Sequence, residues 1–71
     1  MEYGEVSFTM QTGIITGNIA ERSLRQYCFE RNYKLDLEIH KTLLQRMFFI
    51  TIKLPYNEGE QAIKDIRKIF S

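Results

Sequence analysis

The sequence predicts a small α+β domain in which an antiparallel sheet of three or four strands carries two helices on one face. Two observations predict this class. Three segments alternate apolar and polar residues with the period of a half-buried strand, and two others repeat apolar residues at helical spacing. Their order is strand, helix, strand, strand, helix, which is the ferredoxin-like split βαβ order (β-α-β-β-α) lacking its last strand.

The first strand is predicted from Glu5 to Gln11, where the alternation is strict. Its apolar side carries Val6, Phe8 and Met10. Thr12-Gly13 then breaks the pattern, and Gly17 permits a turn. Between them, Ile14 to Thr16 is compatible with a brief extended return, which would add a fourth strand.

The first helix is predicted to start at Ile19. Asn18 and Glu21 have the spacing of a capping box, in which each side chain bonds a backbone N–H at the helix start. At 100° per residue, one stripe of the helix is apolar. It comprises Ala20, Leu24, Tyr27, Cys28 and the stem of Arg31. Asn32 offers a left-handed residue that ends the helix.

The second and third strands are predicted from Tyr33 to His40 and from Met47 to Leu54. The connection Lys41 to Arg46 is short enough only for an antiparallel hairpin. It lacks Asn-Gly or Asp-Gly, which favours a loop longer than a two-residue turn. Charge favours a register that sets Asp36, rather than Lys34, opposite Lys53.

The chain is predicted to end in a second helix. Pro55 stops the third strand, and Asn57 with Glu60 repeats the capping-box spacing. The apolar stripe that follows comprises Ala62, Ile63, Ile66, Ile69 and Phe70.

Composition indicates one domain over residues 1–71 that depends on association for stability. A chain of 71 residues buries about 60% of its unfolded surface, which leaves it marginally stable. One cysteine and one histidine allow no internal disulfide and make a structural metal implausible, so we assign no metal and no cofactor. Oligomerisation, most simply a homodimer, is the remaining means of stabilisation.

The amino terminus has two acidic residues and no basic segment of the kind that begins a signal peptide. No stretch approaches the roughly 18 apolar residues of a membrane span. We therefore expect a cytoplasmic protein without membrane contact. Met1 suggests a complete reading frame, whereas a helix that runs almost to the last residue leaves room for a further strand.

The leading hypothesis is a non-catalytic protein-interaction or regulatory module that self-associates or binds a protein partner. Phe29 falls opposite the core stripe of the first helix, and the third strand carries two apolar residues on its second face. The hairpin tip adds two leucines. The resulting interface candidates are Phe29, Leu43, Leu44, Met47 and Phe49.

The alternative is a small nucleic-acid-binding module that stacks bases on the open sheet face. Its candidate residues are Lys34, Lys53, Phe49, Arg22 and Arg25. A net charge of +1 disfavours this function, since phosphate-binding domains carry a clear basic excess.

A third hypothesis is an enzyme that needs a partner chain to complete its pocket. His40 shares a strand face with Asp36 and Glu38, a pairing suited to acid–base chemistry. However, one strand presents residues in a row rather than around a substrate. Cys28 lies on an apolar stripe, where burial is commoner than reactivity. We therefore assign no catalytic residue.

Overall fold

A computed structural model describes residues 2–71 and shows an α+β fold, in which those residues form three antiparallel strands in an open sheet and two helices. A 3₁₀ turn, Tyr56–Glu58, precedes the second helix. The strands and helices are, in chain order, β1 (Tyr3–Gly13), α1 (Ile14–Glu30), β2 (Lys34–Lys41), β3 (Gln45–Pro55) and α2 (Gly59–Ile69).

The third strand lies at the centre of the sheet, in the order β1-β3-β2. Both neighbours run antiparallel to β3, so β1 and β2 run in the same direction and form the two edges. On one face of β3, four residues are at most 1% exposed: Phe48, Ile50, Ile52 and Leu54. Against that face pack Leu24 and Cys28 of α1 and Ala62 and Ile66 of α2. Both helices therefore cover the same face, and the other face is open.

The start of α1 differs from the prediction. The helix begins at Ile14, directly after β1, so the extended return at Ile14 to Thr16 and the cap at Asn18 were both wrong. Gly17 is helical and buried rather than part of a turn. A Cβ at that position would lie 2.6 Å from Thr12 Oγ1 and 3.0 Å from Arg46 Cγ. The helix approaches the sheet this closely because glycine has no side chain, and this tertiary contact decides where the helix begins.

The end of α1 follows the prediction for Asn32, which has a φ of 58°. The Asn32 N–H donates to the Phe29 carbonyl at 3.2 Å, and the Tyr33 N–H donates to the Cys28 carbonyl at 2.9 Å. This pair of bonds is the Schellman motif, which satisfies carbonyls left free at the helix end.

The β2–β3 hairpin closes more tightly than predicted. The Thr42 N–H donates to the Gln45 carbonyl at 3.0 Å, which leaves only Leu43 and Leu44 at the tip. That turn sets the register, and Lys34 rather than Asp36 lies opposite Lys53. Turn geometry therefore outweighs charge here. Glu5 of β1 lies opposite Lys53 on its other side.

Helix α2 follows Pro55 as predicted, but its start was wrongly assigned. Asn57 lies in the 3₁₀ turn, and α2 begins at Gly59. The turn is held by a tertiary contact, because Glu58 accepts a hydrogen bond from the Tyr33 hydroxyl. At the other end, the Phe70 ring packs edge-on against Phe48, with centroids 5.0 Å apart.

Candidate interaction surfaces

The open sheet face holds two of the predicted interface residues. Phe49 and Met47 are successive outward residues of β3; Phe49 is 37% exposed and Met47 is half-buried. The His40 ring packs edge-on against Phe49, with centroids 4.9 Å apart. His40 Nε2 also lies 3.4 Å from Glu38 Oε1, with both side chains more than half exposed. The histidine therefore sits on a flat, wet surface beside an aromatic ring.

Basic and acidic residues occupy different positions along the strands of the open face. Glu5, Lys53 and Lys34 form one row across the sheet at the end where β1 begins. Asp36 and Glu38 follow along β2. The basic pair and the acidic pair thus share this face with Phe49, and neither sign dominates it.

The other residues of the nucleic-acid hypothesis lie elsewhere. Arg22 and Arg25 are exposed on α1, in the layer opposite the open face, and Arg25 Nε pairs with Glu21 Oε2 at 3.1 Å. The structure therefore brings Lys34, Lys53 and Phe49 onto one surface and separates them from both arginines.

The hairpin tip forms a second apolar surface, where Leu43 is 88% exposed. Gly13 pairs with Gln45, so the start of α1 lies at the same end of the molecule as the tip. Ile14 and Ile15, also exposed, occupy that first turn.

The outer side of α1 forms a third apolar surface. Phe29 is 81% exposed there, as predicted from its position opposite the core stripe. At 100° per residue, Ile15 and Ile19 lie on the same outer side, and both are exposed. Sequence reasoning missed Ile15 because it started the helix at Ile19, and it did not group Ile19 with Phe29 although both lay within the predicted helix. A helical register extended back to Ile14 would have identified them.

The free edge of β1 is a fourth surface, formed by main-chain groups. The Tyr56 N–H donates to the Glu2 carbonyl at 3.0 Å, in line with the β1–β3 register. Hydrogen-bonded pairs recur every second residue in an antiparallel ladder, so even-numbered residues of β1 bond β3. The N–H and C=O groups of the odd-numbered residues consequently point away from the sheet. These residues are Tyr3, Glu5, Ser7, Thr9, Gln11 and Gly13.

A groove of about 360 Å³ runs beside this edge, between β1 and the start of α2. Its apolar lining includes Val6, Leu54 and Ile63, and Glu60 also lines it. The groove therefore places apolar side chains next to the unpaired backbone groups of β1.

A polar cluster ties the two helices together on their shared side. The Tyr27 hydroxyl donates to Asp65 Oδ2 at 2.8 Å, and the Arg31 guanidinium carbon lies 3.9 Å from the centroid of the Tyr27 ring. Burial and the bond to Asp65 raise the pKa of Tyr27 well above its usual value. The Tyr27 and Gln61 hydrogen bonds lower the pKa of Asp65. Each partner thus keeps the protonation state that the hydrogen bond requires.

The thiol of Cys28 lies in the core between α1 and the sheet, 2% exposed. Burial raises its pKa, which disfavours the nucleophilic thiolate. Cys28 therefore serves packing.

Comparisons with protein-family models, curated proteins and solved structures find no match to this chain. No helix formed by residues 2–71 is both long enough and apolar enough to cross a membrane.

Proposed function

We propose that this protein is a non-catalytic protein-interaction module that acts as a homodimer. The observation that carries the proposal is the amount of large apolar surface outside the core. Nine large apolar side chains are exposed among residues 2–71: Tyr3, Ile14, Ile15, Ile19, Phe29, Leu43, Leu44, Phe49 and Tyr56. Single exposed apolar residues are ordinary, but a small domain with this many has surface that association would remove from water.

We further infer that the fold is the ferredoxin-like split βαβ arrangement without its last strand. What supports this is the sheet order, in which β3 lies between two strands joined through α1. In the four-stranded arrangement, the last strand lies beside β1. The free edge of β1 is therefore the place where this domain differs from the complete form.

The open-face charges favour one second candidate, a nucleic-acid-binding module. Lys34 and Lys53 lie directly opposite each other on the face that carries Phe49, where a phosphate would relieve their repulsion. Acidic residues on the same face and the distant position of Arg22 and Arg25 count against it.

The test of self-association is the molar mass in solution, measured by light scattering across a wide range of concentrations. We expect a mass of twice the 8.5 kDa chain, falling toward the single-chain mass only on dilution. A single-chain mass at every concentration would contradict the proposal. If that monomer bound single-stranded oligonucleotides with strong salt dependence, the second candidate would replace it.

A further inference from the structure

We propose that two copies of this chain pair along β1, antiparallel about a two-fold axis at Phe8, and form one continuous six-stranded sheet. The inference rests on the proposed self-association and locates it at the β1 edge, which holds Tyr3 among the nine exposed apolar residues. Three independent features of β1 and α2 support it: backbone groups, strand side chains and helix charges.

The backbone of β1 is arranged for self-pairing. With the axis at Phe8, each residue i meets residue 16 − i of the second copy, so odd-numbered residues meet odd-numbered ones. Ser7 then lies opposite Thr9 of the second copy, and Glu5 lies opposite Gln11. These residues direct their N–H and C=O groups outward, so each pair can exchange both hydrogen bonds of an antiparallel ladder. This register overlaps all of Tyr3–Gly13.

The side chains of β1 suit the same register. On the helix-covered face, Phe8 lies beside Phe8 of the second copy, and Val6 lies beside Met10. All three are half-buried in the single chain and pack against the core cluster, so pairing would extend that cluster across the junction. On the open face, the only charged residue of β1, Glu5, meets a neutral glutamine rather than itself.

Helix α2 supplies charge complementarity across the junction. Its Asp65 faces α1, and at 100° per residue Glu60, Ile63 and Arg67 lie on the opposite flank. Glu60 and Ile63 border the groove beside β1, which identifies this flank as the one next to the free edge.

The position of α2 along β1 matches the proposed axis. A Cβ on Gly59 would lie 3.8 Å from Val6, and Phe70 packs on Phe48, the partner of Met10. The helix therefore runs from the level of Val6 to that of Met10, with its middle near Phe8. The two-fold axis then sets the amino end of one α2 beside the carboxyl end of the other. Glu60 of each copy consequently approaches Arg67 of its partner.

The other edge of the sheet lacks these properties. Strand β2 carries five ionisable residues in eight positions: Lys34, Asp36, Glu38, His40 and Lys41. Charged residues, lysine above all, are a common means of preventing strand pairing at an edge. Strand β1 has no lysine or proline and a single charge, so it is the edge available for pairing.

The decisive experiment compares Thr9→Pro with Thr9→Ala by light scattering. Proline at this position removes an outward N–H and leaves the bonds to β3 intact, whereas alanine removes only the side chain. We expect dimers for the natural protein and for Thr9→Ala. For Thr9→Pro we expect a dissociation constant at least about tenfold higher, equivalent to the loss of about 1.4 kcal/mol. Phe49→Asp alters the open face and should remain dimeric.

The outcomes separate the inference from the function on which it rests. If the natural protein is monomeric at every concentration, both the β1 pairing and the proposed self-association are overturned. A dimer that persists unchanged in Thr9→Pro overturns the β1 pairing alone, and dissociation of Phe49→Asp would then locate the contact on the open face.

A second measurement keeps the inference testable if Thr9→Pro fails to fold. In the dimer of the natural protein, amide hydrogen exchange of Ser7, Thr9 and Gln11 should be slowed at least about tenfold relative to dilute, dissociated protein. Exchange at these amides that is equally fast at both concentrations would overturn the pairing. As an independent check, Arg67→Glu should weaken the dimer, and adding Glu60→Arg should restore it.

Discussion

At the scale of single residues, Gly17 decides how closely α1 approaches the sheet. Arg46 lies on the helix-covered face of β3, and its Nη1 donates to the carbonyls of Thr42 and Gln45 at 3.1 Å each. The guanidinium thereby holds the hairpin connection, while the aliphatic stem supports the helix at Gly17. The contact between Gly17 and Arg46 thus links the start of α1 to the β2–β3 turn.

Gly17→Ala should destabilise the protein by about 1–3 kcal/mol, because the new methyl group overlaps Thr12 Oγ1 and crowds the Arg46 stem. The matched control is Gly13→Ala. A Cβ there meets no described atom within 4 Å, and the backbone, with φ of −74°, already suits alanine. The control should therefore change stability by less than about 1 kcal/mol, in the stabilising direction. Urea unfolding at one fixed protein concentration measures both; equal effects would contradict the close contact.

At the scale of elements, the end of α1 leads directly into the second edge strand. Asn32 adopts the left-handed conformation, and the Tyr33 N–H completes the bond to Cys28 that closes the helix. Because β2 begins at Lys34 immediately afterwards, this cap also sets the direction of the second edge strand. The left-handed conformation of Asn32 therefore determines both the end of α1 and the start of β2.

Asn32→Ala should lower the free energy of unfolding by about 1 kcal/mol, since a β-carbon without a compensating polar group disfavours positive φ. Asn32→Gly should retain or slightly raise stability, because glycine adopts this conformation without steric cost. Denaturant midpoints of the two variants provide the comparison. If Asn32→Gly lowered the free energy of unfolding as much as Asn32→Ala, the asparagine side chain rather than the backbone conformation would be the source of the stabilisation.

At the scale of the whole molecule, the protein is long and narrow, with extents of 43 × 17 × 16 Å. The 11 residues of β1 span about 36 Å, whereas the 11 residues of α2 span about 16 Å. Helix α2 therefore lies along less than half of the edge strand, at the level of Val6 to Met10. These residues are half-buried because β1 has a neighbouring strand on one side only, and the same edge is open to a second copy.

The hydrogen bond from Tyr33, just before β2, to Glu58 in the 3₁₀ turn should make stability sensitive to high pH. Burial, and then the hydrogen bond to Glu58, raise the pKa of Tyr33 to about 12. An unfolded tyrosine titrates near pH 10, so the unfolded chain loses this proton first. Stability should therefore fall as pH rises from about 10 to about 12.

Tyr33→Phe should reduce this loss of stability at high pH. At neutral pH the variant should be about 1 kcal/mol less stable, because it lacks the hydrogen bond to Glu58. Tyr56→Phe, which alters an exposed tyrosine, should retain the pH dependence of the natural protein. Unfolding free energies measured between about pH 7 and about pH 12 test this. Identical pH profiles for Tyr33→Phe and the natural protein would exclude Tyr33 as the cause.

The candidate surfaces were only partly predictable from sequence. Phe29 was identified from its helical angle, and Phe49 from its place on the second face of a strand, because both depend on local periodicity. The exposed Ile14 and Ile15 were not identified, because the helix start depends on packing at Gly17. The position of Arg22 away from Phe49 likewise depends on the layer that each element occupies.

The sequence by itself determined the α+β class, the three main strands, both helices, the core stripes and the left-handed residue at Asn32. These follow from periodicity and backbone preference, which act over a few neighbouring residues. Only the tertiary structure decided the start of α1, the hairpin register and the exposure of the β1 edge. The start of α1 and the exposure of the β1 edge depend on contacts between residues far apart in the chain, such as Gly17 with Arg46 and Glu5 with Lys53. The register depends on how the turn between Thr42 and Gln45 closes, which alternation along the strands does not specify. Local pattern carries no information about which distant partner a residue meets.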